Sequence, residues 1–421
     1  MVDEKHIKSS SQKGLDYLNF FLADVRAGIG PYLSIYLLSI HHWSLKDIGI
    51  VSSVGSLAGV LAQTPAGALV DRLASKHSII VIASLMIGGS VVWMLLDPIP
   101  AYVVISQLII GIAAAFLAPA VASLTLGIFG YAALEKRMGR NETFNHAGNV
   151  VAACLSGFLG YFFHIKAVFV LIVFMCVASI CSLKLIDKTQ VDSQLARGYV
   201  TNSMMNSSTV NSSGLADKNN LPVLLQNKQL VIFTLCCLIY HFSNAAMLPL
   251  AGQYIVIANK VDASVYMSAC IVIAQLVMVP VAFWCGKEAK KGRKPLLFLC
   301  FLILPFRGFL YLLSSNPFYI VSIQVLDGVS AGIFGVVSIL ILSDLTKGTG
   351  HFNLVNGLVA TAIGLGASMS NLTGNWLAES YSFPVAFLCL ASIALLPVLL
   401  SIFFFKESYS EDNLFSIQSI V

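Results

Sequence analysis

The sequence predicts an all-α membrane protein with 12 transmembrane helices in two pseudo-symmetric six-helix bundles. Three observations carry this prediction: an apolar composition, a regular series of long apolar segments, and motifs repeated between the two halves. The chain has 421 residues, 57% hydrophobic and 11% charged, whereas soluble domains average about 25% charged residues. At about 20 residues per span, this length holds about a dozen spans and no sizeable soluble catalytic domain.

Six apolar segments precede a polar stretch and six follow it. Residues 15–186 form the predicted N-terminal bundle, with spans at 15–40, 48–70, 79–96, 101–129, 143–163 and 167–185. Residues 228–405 form the C-terminal bundle, with spans at 229–258, 264–285, 296–313, 318–345, 352–378 and 384–405. Residues 187–227 contain the run MMNSSTVNSSGLADKNN, which is too polar to fold alone and predicts a flexible linker. Residues 1–14 and 406–421 are the predicted tails.

The distribution of basic residues predicts the orientation. The two tails, the linker and the connections on their side hold 20 of the 25 Lys and Arg residues, and the opposite side holds three. The positive-inside rule therefore predicts that both termini and the linker are cytoplasmic. The start MVDEKHIKSSSQKG lacks an apolar core, so we expect no cleaved signal peptide. This topology explains the net charge of +5 without nucleic acid.

The fourth and tenth spans repeat each other. QLIIGIAAAFLAPAV begins at Gln107 and QVLDGVSAGIFGVV at Gln324, which aligns Gly111 with Gly328. GALVDRLASK, which follows the second span, likewise matches GKEAKKGRK, which follows the eighth. Duplicated halves are typical of secondary transporters, whose binding site lies between the repeats near the bilayer midplane.

The connection between the second and third spans carries Gly67, Asp71, Arg72 and Lys76. This run resembles the signature loop of the major facilitator superfamily, and the resemblance covers the whole chain. It implies a cytoplasmic gate motif in which the Asp and basic residues pair across neighbouring helix ends. The second-half copy departs from it, with Lys290 in the place of the Asp. LADVRAGIGPYL and RMGRNETFNHAGNV resemble a bacterial subgroup of mostly unassigned substrate.

The resemblance also implies which side chains line a central cavity, because the first, fourth, seventh and tenth spans surround it in this family. Ionisable groups inside spans are costly and so are functional candidates. The candidates for the substrate or proton pathway are Asp24, Arg26, Gln107, His241, Asn244, Gln324 and Asp327. Asp24 and Arg26 are two residues apart, about 200° around a helix, so only one of them can face the cavity.

Each ionisable candidate has a functional and a structural interpretation. Asp327 is a proton-coupling or cation-binding carboxylate, or it forms a fixed ion pair with Arg307 or Arg26. His241 is a proton relay or simply packs through hydrogen bonds. The resemblance places Arg307 on a peripheral helix, which favours a structural role. The adjacent His41 and His42 are weak evidence for a metal site, because they lack Cys or carboxylate companions at ligand spacing, so we expect no metal site and no cofactor.

The most probable activity on this reasoning is alternating-access, proton-coupled transport of a small polar or amphipathic organic solute in a bacterial cytoplasmic membrane. Gln107 stands where proton-coupled exporters often carry Arg, and no Gly-Pro pair marks the fifth span, which argues against a standard drug antiporter. Efflux of drugs or siderophore-like metabolites stays open, as does a non-transporting sensor or scaffold. The expected partners are a small-molecule substrate, protons or another coupling ion, and the lipid bilayer, with the chain a monomer. No enzyme motif is found.

Overall fold

The computed structural model describes residues 8–27, 29–73, 75–96, 98–192, 195–197, 227–260, 264–346 and 352–408. All regular secondary structure in these ranges is helical. The chain forms two compact units. The first unit comprises Met1–Asn211 with Ile255–Val272, and the second comprises Ser212–Tyr254 with Ile273–Val421. The domain limits given by the sequence stay a prediction.

Among its described residues up to Arg197, the first unit has six helices and two short 3₁₀ turns. The turns lie at Lys188–Gln190 and Leu195–Arg197. The helices are α1 (Ser9–Ala27), α2 (Ile29–His41), α3 (Leu45–Arg72), α4 (Lys76–Leu96), α5 (Pro100–Phe163) and α6 (Lys166–Leu183). This unit also includes the end of α8 and the start of α9, which are defined below.

Helix α5 covers the fourth and fifth predicted spans. It breaks at Gly130, where φ is 68° and ψ is 176°, a conformation that glycine adopts without a Cβ clash. The break separates a first arm, Pro100–Gly130, from a second arm, Arg137–Phe163. The Asn141 side chain donates to the Thr125 hydroxyl over 3.0 Å, so the two arms lie side by side.

The remaining helices continue in chain order through the second unit. They are α7 (Lys228–Asn244), α8 (Met247–Asn259), α9 (Ser264–Glu288), α10 (Lys294–Leu310), α11 (Pro317–Thr346), α12 (Phe352–Ser380), α13 (Phe383–Ile393) and α14 (Leu395–Phe403). Two interruptions follow from proline. Pro249 and Pro397 lack an N–H donor, and each ring clashes with the carbonyl four residues earlier, at Ala245 and at Ile393. These are the positions where α7 gives way to α8 and where α13 ends.

The predicted 12-helix membrane fold is confirmed. Nine stretches of the described residues are long and apolar enough to cross a membrane. The other three predicted spans are also helical. One is divided between α1 and α2, α10 is 17 residues long, and α12 carries more polar side chains. The apolar segments of the sequence gave the number of spans correctly, while the division of these 12 spans among the 14 helices of the described residues needed the structure.

Glycines bring helices into close contact in both units. A Cβ at Gly111 on α5 would overlap the carbonyl of Gly55 on α3, and one at Gly148 would overlap the carbonyl of Phe20 on α1. In the second unit a Cβ at Gly328 would lie 2.5 Å from the carbonyl of Ala274. Small residues permit such backbone approach in membrane bundles. The repeated Gly111 and Gly328 thus serve the same packing role in each half.

Three non-glycine residues in the described ranges have positive φ. They are His42 (54°), His164 (80°) and Lys260 (54°), and each immediately follows the last residue of a helix, α2, α5 or α8. Glycine adopts positive φ more readily than other residues because it has no Cβ. A side chain there costs about 1–2 kcal/mol, so each of these basic residues stands where glycine would be less strained.

The glycine contacts generate a test of the packing. Gly111→Ala should lower the free energy of unfolding by about 1–3 kcal/mol, because the added methyl group forces α3 and α5 apart. Gly89→Ala is the matched control, since a Cβ there meets nothing within 4 Å; it should leave stability unchanged or raise it by about 0.5–1 kcal/mol. Thermal unfolding of the purified variants in detergent measures both, and equal behaviour of the two variants would refute this account.

Candidate functional site

A buried arginine forms the centre of the polar site in the second unit. Arg307 on α10 is 2% exposed. Its guanidinium pairs with the Asp327 carboxylate on α11 and donates to the Asn244 side-chain oxygen on α7 over 2.5 Å. It also lies 3.4 Å from the Met247 sulfur. Side chains of α7, α8, α10 and α11 therefore meet at one charged group, which brings the predicted residues Asn244 and Asp327 together.

This ion pair is the structural interpretation offered for Asp327, with Arg307 as the partner. The Arg307 side chain is buried, and the placement of its helix at the periphery stays a prediction. The Asp327 side chain remains 20% exposed, and the Arg307 Nε atom has no hydrogen-bond partner among the described residues. The cluster consequently keeps one accessible carboxylate edge and one unused donor.

The other two predicted residues of this unit have separate partners. Gln324, one turn before Asp327, donates from its side-chain amide to the Tyr311 hydroxyl over 2.8 Å and to the Ile320 carbonyl over 3.0 Å. The His241 Nδ1 lies 3.0 Å from the Cys237 carbonyl. Its ring packs edge-on against the rings of Tyr240 and Phe334. His241 is thus held by packing and a local hydrogen bond, beside the arginine cluster in sequence.

The sequence interpretation missed a second buried polar group beside these residues. The Tyr240 and Ser330 hydroxyls lie 2.6 Å apart, and the Cys300 thiol lies 3.4 Å from the Ser330 carbonyl. The Tyr240 ring stacks on Phe334 at 5.0 Å. These groups join α7, α10 and α11, the same helices as the arginine cluster. Isolated Tyr, Ser and Cys residues in apolar runs carry no spacing signal that reveals such a network.

In the first unit the predicted pathway residues are Asp24 and Gln107. Asp24 on α1 is 7% exposed, and its Oδ2 atom has no hydrogen-bond partner among the described residues. The predicted Arg26 lies on α1, but its side chain is outside the described set. The unit therefore presents a buried carboxyl group with an unused oxygen.

Gln107 lies where α3 and α5 cross. It is 8% exposed, its side-chain nitrogen has no hydrogen-bond partner among the described residues, and its side chain packs over Gly55. The structure does not pair Gln107 with Asp24 through a hydrogen bond. Both predicted residues of this unit thus keep an unsatisfied polar atom, which is uncommon in buried positions.

The predicted gate motif is described in part. The Lys76 ammonium is 1% exposed and donates to the carbonyls of Val70 and Leu73, the latter over 3.0 Å. It thereby satisfies carbonyls at the C-terminal end of α3, where a cation is favourable. Arg72 is exposed and Gly67 is half-buried. The side chain of Asp71 lies outside the described set, so its predicted pairing stays a prediction.

A cluster of charges joins α1 to the second arm of α5, and the sequence interpretation missed it. Asp16 is 3% exposed and receives hydrogen bonds from Arg137 and Arg140, each over 2.6 Å. Arg137 also donates to the Asn141 side-chain oxygen over 3.0 Å and lies over the Phe129 ring. Two arginines thus share one carboxylate. These residues lie at predicted span ends, where charges are ordinary, so the sequence gave no reason to single them out.

The residues after α6 are tied to the start of α1. The Lys8 ammonium lies 2.5 Å from the Asp187 carboxylate, and the Asp187 backbone N–H donates to the Ser11 hydroxyl. The bond from Lys8, together with those from Thr189, holds the pKa of Asp187 well below its usual range. This contact is exposed, so it orients the segment more than it stabilises the fold.

The described residues contain no group of three His, Cys, Asp or Glu side chains arranged to hold a metal ion. The nine cysteines are free thiols. The expected absence of a metal or cofactor stays a prediction.

The comparisons with known proteins agree with this architecture. The family model described as Major Facilitator Superfamily matches residues 17–306 and 289–417. A protein of Mycobacterium tuberculosis (strain CDC 1551 / Oshkosh), named an uncharacterized MFS-type transporter, is 42% identical over 401 residues, covering 95% of this chain and 94% of that protein. A protein of the same description from strain H37Rv matches equally well.

Two solved structures share the fold. A variant of the nucleoside transporter NupG has a TM-score of 0.76 at 14% identity, covering 94% of this chain and 100% of that one. A D-xylose-proton symporter has a TM-score of 0.71 at 13% identity, covering 95% and 98%. At these identities the likeness extends to the fold alone.

The Asp16 cluster predicts unequal effects of removing its members. Asp16→Asn should lower the free energy of unfolding by about 3 kcal/mol, because Arg137, whose side chain is 4% exposed, loses its counter-charge. Arg140→Gln is the control, since the Arg140 side chain is 53% exposed, and it should cost less than about 1 kcal/mol. Thermal unfolding in detergent compares the two. An Arg140→Gln loss as large as that of Asp16→Asn would contradict the assignment.

The Arg307 cluster predicts that its ion pair acts as a unit. Asp327→Asn should cost about 3 kcal/mol of stability, because it leaves the Arg307 guanidinium buried without a counter-charge. The double variant Arg307→Met with Asp327→Leu should unfold within about 1 kcal/mol of the wild type, since it buries no charge. Thermal unfolding of the single and double variants measures this coupling. Additive losses in the double variant would show that the two side chains do not act as a pair.

Proposed function

Because the chain belongs to the major facilitator superfamily, we propose that it is a secondary active transporter that moves a small polar or amphipathic organic solute by alternating access, coupled to protons. The M. tuberculosis relatives are named transporters, which supports transport as the activity. The solved neighbours are a nucleoside transporter and a D-xylose-proton symporter. Their likeness is one of fold, so solute and coupling are argued from the residues of this chain.

The observation that carries proton coupling is the Asp24 carboxyl group. It is buried in α1, and one of its oxygens has no hydrogen-bond partner among the described residues. A carboxylate buried without a partner costs several kcal/mol, whereas a proton or bound cation removes that cost. Asp24 therefore has a physical reason to gain and release a proton as its surroundings change during the transport cycle.

Asp327 is the second candidate for coupling. Its carboxylate already has a counter-charge in Arg307, so proton uptake there must first break a buried ion pair. We assign the Arg307 cluster to solute binding instead, because it combines an accessible carboxylate edge at Asp327 with the amide of Asn244 and a spare guanidinium donor. These groups suit hydroxyl, carbonyl or carboxylate functions on a solute.

The remaining predicted residues take supporting roles in this proposal. Gln107 and Gln324 each keep a buried side-chain atom without a hydrogen-bond partner among the described residues, which suits them to polar contacts with a solute. His241 is assigned to packing, since its ring is held by the Cys237 carbonyl and two aromatic rings. Arg26 stays a pathway candidate by sequence position. Gly67, Asp71, Arg72 and Lys76 form the proposed cytoplasmic gate.

The proposed setting is a bacterial cytoplasmic membrane with both termini in the cytoplasm. The 20-to-3 distribution of basic residues supports this orientation. In the proposal the partners are a small-molecule solute, protons and lipid, and the working form is a monomer. Export of drugs or siderophore-like metabolites is included in the test below, because the vesicle assay is run with gradients in both directions.

The proposal is tested by solute-dependent proton flux. The protein is reconstituted in vesicles that enclose a pH dye, and pools of nucleosides, sugars, siderophores and drugs are added on either side. Asp24→Asn should abolish solute-driven proton movement but keep exchange of labelled solute, because an amide cannot carry a proton yet leaves the solute site intact. Asp47→Asn, at an exposed carboxylate, is the matched control and should keep both activities.

Three outcomes would contradict parts of the proposal. Normal coupling in Asp24→Asn together with lost coupling in Asp327→Asn would transfer the coupling role to Asp327. Solute exchange without proton movement in the wild type would indicate a uniporter or another coupling ion. A folded wild-type protein that moves no pool member in either direction would favour the non-transporting sensor or scaffold.

A further inference from the structure

A cavity of about 630 Å³ lies within the first unit, and neither Asp24 nor the Asp16 cluster is among its lining residues. It is lined by the ends of α2 and α8 and by the residues between α5 and α6. By the predicted orientation this is the outer end of the unit. We call it the outer pocket and define its polar lining as His42, Trp43, His164 and Lys260.

The outer pocket combines positive charge with an apolar wall. Lys260 supplies an ammonium group, His42 and His164 supply two imidazoles, and Trp43 supplies an aromatic ring. Six isoleucine, leucine and valine side chains form the rest of the wall apart from Ser39, whose hydroxyl donates to the Ile35 carbonyl. No acidic residue is among the described lining residues. Its volume is typical of sites for small organic ligands.

The backbone gives an independent reason to regard the basic residues as selected for their side chains. His42, His164 and Lys260 are the three non-glycine residues with positive φ in the described ranges, and all three line this one pocket. Glycine would adopt these conformations without strain. Strained backbone that gathers at one place indicates a functional site more often than an accident of packing.

The negative ends of helices α2, α5 and α8 offer a simpler account, because cations are favourable near helix C-termini. That account explains why the residues at these helix ends are basic. It does not explain why they occupy strained positions instead of neighbouring ones, or why they surround a cavity with an apolar wall. The two accounts differ in what replacement by glycine does to ligand binding, since only the binding account requires the side chain to contact a ligand.

We propose that the outer pocket binds an amphipathic organic anion from the aqueous side, with a carboxylate or similar group at Lys260 and the two histidines and an apolar body against Trp43 and the aliphatic wall. This site is separate from the transport residues assigned above. Ligand binding at the outer pocket is measured without transport. A failure of the transport proposal therefore leaves the binding result unchanged, and a failure of this proposal leaves the transport result unchanged.

The test uses 4-phenylbutyrate as the probe. Trp93, Trp284 and Trp376 are replaced by Phe so that Trp43 is the only source of tryptophan fluorescence. The protein is placed in phosphatidylcholine nanodiscs. Trp43 fluorescence should change saturably with 4-phenylbutyrate. The uncharged 4-phenylbutanol and the small anion acetate should bind at least tenfold more weakly, because each lacks one of the two required features.

The variants separate binding from folding. Lys260→Gly should weaken probe binding at least tenfold while the unfolding temperature stays equal or rises, since the strain is relieved. Lys260→Arg should keep binding within about threefold, because it keeps the charge. An unfolding temperature lowered by Lys260→Gly with unchanged probe affinity would establish the helix-end account and overturn the proposal.

Two further results would also overturn it. Equal affinity for the carboxylate and the alcohol would show that the basic residues do not recognise the ligand. Loss of probe binding when phosphatidylglycerol is added to the nanodiscs would assign the pocket to a lipid headgroup instead of an anion from water. Unchanged affinity in those nanodiscs is the expected result.

Discussion

A charged side chain that leaves water for the interior of a membrane-spanning bundle must find a counter-charge, because the attraction between partners has to offset the loss of hydration. The arrangement of helices within each unit follows from this constraint. Arg307 is held by Asp327 and Asn244 from two other helices, and Arg137 is held by Asp16. Each arginine thereby fixes how three segments meet, which apolar packing alone does not specify since many apolar contacts are interchangeable.

Asp24 stands apart from this pattern, since one of its buried oxygens lacks a hydrogen-bond partner among the described residues. The two units consequently differ in electrostatic character although their sequences repeat. The second unit has a neutralised acid-base pair with spare polar edges, which suits recognition of a polar solute. In the first unit, whether the Asp24 carboxyl group is charged depends on which other groups approach it, and this suits an exchangeable proton. This electrostatic difference between the two units is the basis of the proposed function.

Close helix contacts and helix interruptions give the spans their individual shapes. Gly111 and Gly328 occupy equivalent positions in the repeat and bring backbones together in the same way. Shared packing positions preserve the common fold. Helix breaks also recur, since the first span is divided between α1 and α2 and the seventh between α7 and α8. The strained helix ends that carry His42, His164 and Lys260 line the outer pocket of the first unit.

The sequence by itself determined the class of protein, the number of membrane spans and the candidate polar residues, because the cost of exposing polar groups to lipid is imposed on every span and is visible in composition and in the rarity of internal charges. It also offered Arg307 as a partner for Asp327. Only the tertiary structure decided that this pair forms and that Arg307 is buried, because a contact between α10 and α11 depends on the rotation and depth of each helix. The tertiary structure also decided the Asp16 cluster and the outer pocket. Each joins residues far apart in the chain that no local spacing connects.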